Sequence, residues 1–180
     1  MLKITIPGGD YYDSKENRFY TVKEQTIALE HSLVSISKWE SKWHKPFLTD
    51  ERKTVDETRS YIQCMTLTQN VDPKVYNMLT NDNVQQVNAY VEDSMTASWV
   101  NDTPGSSRSR ETVTSELIYY WMIALNIPFE CQKWHLNRLL MLIRICNAKN
   151  QQPKKMSKSE IMRRNSQLNA ARRKAMHTKG

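Results

Sequence analysis

Ser32-Leu33-Val34-Ser35-Ile36-Ser37-Lys38-Trp39-Glu40-Ser41-Lys42-Trp43 is where the hydrophobic pattern of the chain changes its period. Leu33, Ile36, Trp39, Glu40 and Trp43 follow 3–4 spacing, which predicts a helix over 32–43 ending before Pro46. Upstream the period is two. Leu2, Ile4 and Ile6 alternate with Lys3 and Thr5, Pro7-Gly8-Gly9-Asp10 has turn chemistry, and Phe19-Tyr20-Thr21-Val22 completes a second hairpin with residues 13–17 at its tip. Residues 26–31 have the composition of one more strand. Such a sheet of two to four strands needs helices to cover it.

Downstream the pattern stays helical. Thr54-Val55-Asp56-Glu57 is a capping box, opening a helix whose face is expected to run through Val55, Thr58, Ile62 and Met65. Pro73 suits the first turn of a short helix through Val75, Tyr76 and Leu79. Asp82 or Asn83 is the expected cap of the next, with Val84, Val87, Tyr90 and Val91 on one side. After a polar loop at 101–110, Val113, Leu117, Trp121 and Leu125 recur every four residues, with Ile118 and Met122 beside them. Asn126-Ile127-Pro128 breaks that helix, and another is expected from about Phe129, its wide apolar face including Trp134, Leu136, Leu139, Leu140, Leu142, Ile143 and Cys146. This pair is the expected core. The fold class predicted is mainly α (α+β): an N-terminal β-hairpin region at 1–31, a helical body at 32–148, and a linker with a basic C-terminal helix at 149–180.

That last segment holds the charge. The chain carries a net +7, yet 154–180 alone contains nine Lys/Arg against the single acid Glu160. The remainder is near neutral. Ser157-Lys158-Ser159-Glu160 is a second capping box, and the basic helix it opens has only Ile161, Leu168 and Ala175 at heptad spacing, with Met162 alongside. Arg163, Arg164, Arg172, Arg173 and Lys174 could meet phosphates, giving salt-dependent, mostly non-specific nucleic-acid binding. No aromatic residue in the arm is there to stack on bases, and no bulky apolar face is there to enter a membrane surface. Arg163, Arg164, Leu168, Arg172, Arg173 and Lys174 are therefore the candidate protein-docking residues, with nucleic acid as second choice, a solvated tail as the plain alternative, and no membrane partner.

Catalytic signatures are missing from the sequence: it has no glycine-rich phosphate loop, no His-Glu-x-x-His, no Cys-x-x-Cys and no Gly-x-Ser-x-Gly. No catalytic, cofactor-binding or metal-binding residue is assigned. Cys131 and His135 stand four apart, but two potential zinc ligands want a third and fourth. Glu116 or Glu130 with His135 could form an acid–base pair, and nothing in the sequence gathers them around a substrate. Trp39 and Trp43, one turn apart among lysines, fit base stacking less well than burial. Three cysteines at unrelated spacings form no disulfide framework, and neither a signal peptide nor a spanning segment is visible, so a cytosolic protein with reduced thiols is expected.

Three stretches carry a resemblance. Leu29-Glu30-His31 running into the opening helix as far as Trp43, Tyr119-Tyr120-Trp121-Met122-Ile123-Ala124-Leu125-Asn126-Ile127-Pro128-Phe129-Glu130, and Leu168-Asn169-Ala170-Ala171-Arg172-Arg173-Lys174 together resemble the tail assembly chaperones of long-tailed bacteriophages. The resemblance implies a non-enzymatic, cofactor-free factor, present in the host cytoplasm during virion assembly. It would hold the helical tape measure protein soluble and recruit tail tube subunits around it. Such factors are often made in a short and a frameshifted longer form, and this chain resembles the short one. A virion structural subunit of the tail or neck is the alternative, a nucleic-acid-binding phage protein the third reading, and a homo-oligomer stays open.

Overall fold

The alternating N-terminal stretch forms four strands: β1 (Leu2–Ile6), β2 (Gly9–Asp13), β3 (Arg18–Val22) and β4 (Gln25–Leu29). They belong to a computed structural model that describes residues 1–13, 17–99, 112–150 and 157–177, apart from the side chain of Glu160. β1 pairs antiparallel with β4, and β2 with β3. Ile6 faces Gln25 and Gly9 faces Val22, so both pairs keep one register across a break at Pro7-Gly8 and Lys23-Glu24. The expected turn at Pro7–Asp10 is thus a kink in one long ribbon. Pro7 has no N–H to offer a ladder. A Cβ on Gly8 would stand 2.7 Å from the Glu24 nitrogen and 2.9 Å from the Val22 carbonyl oxygen, so the strands approach too closely there for any other residue.

The two halves of this ribbon have different surroundings. Ile4, Ile6, Ile27 and Leu29 are buried, while Thr5 and Thr26 join hydroxyls at 2.9 Å on the outer face. β4 also pairs on its other side, where the Leu67 N–H donates to the Ala28 carbonyl at 2.8 Å and the Glu30 N–H to that of Met65 at 2.9 Å. In the far half, Tyr12 and Phe19 are exposed, their rings 5.0 Å apart.

The quoted stretch forms α1 (Leu33–Trp43), capped by Ser32 and ended by His44 in the left-handed conformation. Leu33, Ile36 and Trp39 are buried at the centre of the core. Thr54 and Glu57 cap α2 (Val55–Met65) as expected, but its buried face is Glu57, Ser60, Tyr61, Ile62 and Met65. Val55 is 72% exposed, because the first residue of a helix starting at the rim has nothing to pack on. After a 3-10 turn at Pro73–Met78, α3 (Asn81–Glu92) is capped by Thr80, with Asn83 completing the box rather than serving as the cap.

In α4 (Ser115–Ala124) the buried positions are Ser115, Ile118 and Met122, one residue round from the expected stripe of Leu117 and Trp121. The next helix starts later than predicted. Phe129–Lys133 is a 3-10 turn, and α5 (Leu136–Asn150) begins where the Leu136 N–H donates to the His31 carbonyl at 2.8 Å. α4 also packs against α1, and α4 and α5 both supply buried residues to the core while framing a hollow of about 360 Å³ lined partly by Val113, Trp121 and Leu140. Glu40 directs this arrangement. It is buried, and its two carboxylate oxygens accept from the Phe47 and Ser115 N–H groups, each at 2.8 Å, tying the start of α4 to α1.

The chain divides into two units, Met1–Ala148 and Lys149–Gly180. The second contains α6 (Lys158–Met176), whose described residues are all exposed. The expected loop at 101–110 lies outside the described residues.

Candidate functional site

An apolar groove runs between α2 and α3. Two adjoining hollows of about 250 and 390 Å³ share Lys53, Thr58 and Ile62 in their walls. Val84, Val87 and Val91 recur along α3 at helical spacing and form the facing wall; Val87 and Ile62 are buried in its floor, while Val84 and Val91 are half-buried. At 1.5 Å per residue the stretch from Val84 to Val91 measures about 10 Å, or two turns of a helix laid beside it. Both hollows open to solvent, forming a trough and not an enclosed chamber.

The two rims differ. On the α2 side stand Arg52, Lys53 and Arg59; on the α3 side stand Asn81 and Asn88. Among the described residues no carboxylate lines either hollow. Asp56 meets Arg59 at 3.0 Å on the exposed side of α2, and Arg59 Nε donates to the Tyr76 carbonyl at 3.1 Å. Lys53 is the most constrained of the three. Its ammonium lies 4.1 Å from the centre of the Phe47 ring and donates to the Phe47 carbonyl at 2.9 Å. Burial lowers its pKa below the ordinary lysine value, opposed by the charge of Glu57. Glu57 faces an adjoining hollow, where Lys45 at 2.8 Å and the Thr54 N–H hold its pKa down to about 2.

Behind the groove the Tyr61, His31 and His135 side chains are paired, whereas the Ser60 hydroxyl and the Trp43 indole N–H are buried without a hydrogen-bond partner. Tyr61 lies beneath it with its hydroxyl on His31 Nδ1, and Ser35 Oγ is 3.3 Å away. Burial, and then the nearby His135, lower the His31 pKa to about 3, while burial raises that of Tyr61. His135 Nε2 lies 2.9 Å from the Tyr90 carbonyl oxygen and Nδ1 accepts from the Asn137 N–H at 3.3 Å, which places the ring proton on Nε2. Both nitrogens are engaged, so Cys131 and His135 do not form a ligand pair. Among the described residues no group of three or more His, Cys, Asp or Glu is placed to hold a metal. Trp39 is buried and donates its indole N–H to the Glu57 carbonyl at 2.9 Å, leaving no face for a base; Trp43 stacks on it with ring centres 6.1 Å apart.

The docking residues expected in the arm lie on α6 and do not gather. At about 100° per residue, Arg164, Leu168 and Arg172 share one face with Ile161 and Ala175, Arg163 and Lys174 share a second, and Arg173 lies on a third. Leu168 is 47% exposed, Ile161 45% and Met162 75%. Arg173 Nε reaches the Asn169 carbonyl at 3.4 Å. Positive charge therefore surrounds α6, with a thin apolar line inside it.

The groove was hidden by its own ordinariness. Val84 and Val91 have the spacing of a core stripe, and only the half-exposure of both, opposite Thr58, shows that the stripe overruns the core. Lys53 and Arg52, in a polar run before a capping box, carry no motif. Among the described residues no helix is long and apolar enough to cross a membrane. No family model matches the chain, and neither does any curated protein or solved structure.

Proposed function

We propose that this chain is a non-enzymatic assembly factor of the tail assembly chaperone kind, which holds a helical stretch of the tape measure protein and brings tail tube subunits to it in the host cytoplasm. The observation that carries the reading is the open trough between α2 and α3, apolar along its length and charged along one edge. A long amphipathic helix awaiting its tube aggregates through its apolar stripe, and shielding that stripe calls for a shallow groove rather than a deep pocket.

A second reading, a structural subunit of the tail or neck, is favoured by the ribbon. Its far half carries exposed Tyr12 and Phe19 on a two-stranded ladder, a surface suited to permanent subunit contacts. Nucleic acid remains a third reading through the arm. Co-expression with the tape measure protein separates the first two. The chaperone reading expects the tape measure to move into the soluble fraction and the chain to be missing from purified virions. Stoichiometric presence in virions without any gain in solubility overturns it in favour of the subunit.

A further inference from the structure

We infer that the α2–α3 groove selects an acidic amphipathic helix, whose carboxylates meet Arg52 and Lys53 while its apolar residues lie along Val84 and Val91. The inference rests on the reading of the chain as a helix-holding factor and names the chemistry of what is held. The argument is one of charge complementarity. One rim carries Arg52, Lys53 and Arg59, the other carries amides, and no acidic side chain among the described residues lines the trough. Of the three cations, Arg59 is offset by Asp56 at 3.0 Å. Lys53 has no carboxylate in direct contact: its hydrogen bond goes to a carbonyl and its face to an aromatic ring. Glu57, which shares the adjoining hollow with Glu51, Arg52 and Lys53 and acts on Lys53 through its charge, is itself engaged by Lys45 at 2.8 Å. A carboxylate arriving from a partner would supply a counter-charge in a half-buried setting, where an ion pair is screened less than at an open surface. A basic helix would instead bring like charge to Lys53, which is costly at an interface.

Geometry limits the occupant as well. The apolar wall offers contacts at Val84, Val87 and Val91, so it matches a helix presenting apolar residues at i, i+3 and i+7 over about two turns. The uncharged α3 rim is indifferent to the partner's second polar face. Acidic residues are thus expected on one flank of the bound stripe only.

Three labelled model helices with the same leucine stripe and polar faces of Glu, Gln or Lys test this by fluorescence anisotropy against the full chain at low salt. The Glu peptide is expected to bind about tenfold or more tighter than the Lys peptide, the preference shrinking as salt rises. Arg52→Glu, at an exposed position, is expected to weaken the Glu peptide several-fold and to strengthen the Lys peptide. Val84→Glu, at a half-buried position on α3, is expected to weaken all three. Equal binding of the Glu and Lys peptides overturns the inference, as does Glu-peptide binding that survives both substitutions. Self-association of the chain that Val84→Glu abolishes, without peptide binding, gives the groove to a second copy and overturns it too. Failure of the parent reading looks different: the Glu peptide binds as described while the tape measure protein stays insoluble.

Discussion

The α2–α3 groove and the C-terminal helix both combine aliphatic side chains with basic ones, and they are built in opposite ways. In the groove, Val84 and Val91 stand on a helix fixed by Val87 and Tyr90 in the core, and Lys53 is held against Phe47. On α6, Leu168, Ile161 and Met162 are about half exposed or more, and cations occupy several faces of the helix. A surface fixed before binding loses little entropy when a partner arrives, whereas one whose side chains are free must give up rotamer freedom for each contact. The contrast teaches that concentrated charge marks a region able to attract, while selectivity needs a scaffold beneath the charge.

If the body is the fixed partner of this comparison, its stability depends on buried polar groups that α6 lacks, and acid should expose them. The largest expected effect comes from His31, whose pKa burial and His135 lower to about 3. The unfolded chain takes up a proton on this ring below about pH 6.5, whereas the folded chain does so only near pH 3. Its contribution is complete above pH 6.5 and is lost as the pH falls toward 3, with a ceiling on the order of 5 kcal/mol. Glu57, lowered to about 2 by Lys45 and Thr54, adds an acid-side loss only below the ordinary carboxylate value of 4.5. The window from pH 4.5 to 6.5 therefore belongs to His31. Urea melts across it should show falling stability, and His31→Gln should flatten the slope. A flat profile for the unaltered protein would remove His31 from the account.

Next in size is Glu40→Ala. The substitution strips two buried N–H groups, those of Phe47 and Ser115, of an acceptor 2.8 Å away. The expected cost is about 3 kcal/mol, from leaving buried donors unpaired after losing a charged acceptor. Glu40→Gln keeps one carbonyl oxygen and should cost less. Hydrogen exchange should then show the start of α4 opening first. Unchanged protection at Ser115 would mean that α4 is held by its apolar face alone.

Glu40 also shows what sequence could and could not disclose. Its 3–4 spacing with Ile36 and Trp43 placed it on the inner face of a helix, and the structure buries it there. The reason for burial lies 75 residues away at Ser115, and a local pattern carries no trace of such a partner. The same division holds elsewhere. The capping box at Thr54, the Ser157 start signal and the break at Asn126–Pro128 are local chemistry, and helices begin or end there, although the Glu160 side-chain half of the box expected at Ser157 lies outside the described residues. The register of the ribbon, the choice of Ile118 over Leu117 for the core, and the seating of α4 on α1 are all set by non-local packing. An α4 that is apolar on nearly every side has no preferred face for a periodicity argument to find. The groove escaped for a related reason: half-exposure of Val84 and Val91 depends on how far α2 stands from α3, which neither helix encodes alone.

The smallest expected effect on stability completes the contrast with α6. Leu168→Ala should change the unfolding free energy by less than about 0.5 kcal/mol, as expected for an exposed side chain without a packing or capping role. Every described residue of α6 is exposed, so a chain ending before Lys154 should melt at the same temperature as the full one. Charge-dependent behaviour should move instead. Retention of the full chain on heparin should fall steeply with salt, and the truncated chain should elute early, because 154–180 carries nine of the basic residues against one acid. A truncation that lowers the melting temperature by several degrees would give the helix a structural partner and make it a fixed surface after all. Heparin retention that survives truncation would move the polyanion contact to the body, where Arg52, Lys53 and Arg59 are the cations already aligned along one edge. Either result would erase the distinction between an arm that attracts and a groove that selects; the expected pair of results, stability unmoved and retention lost, would sharpen it.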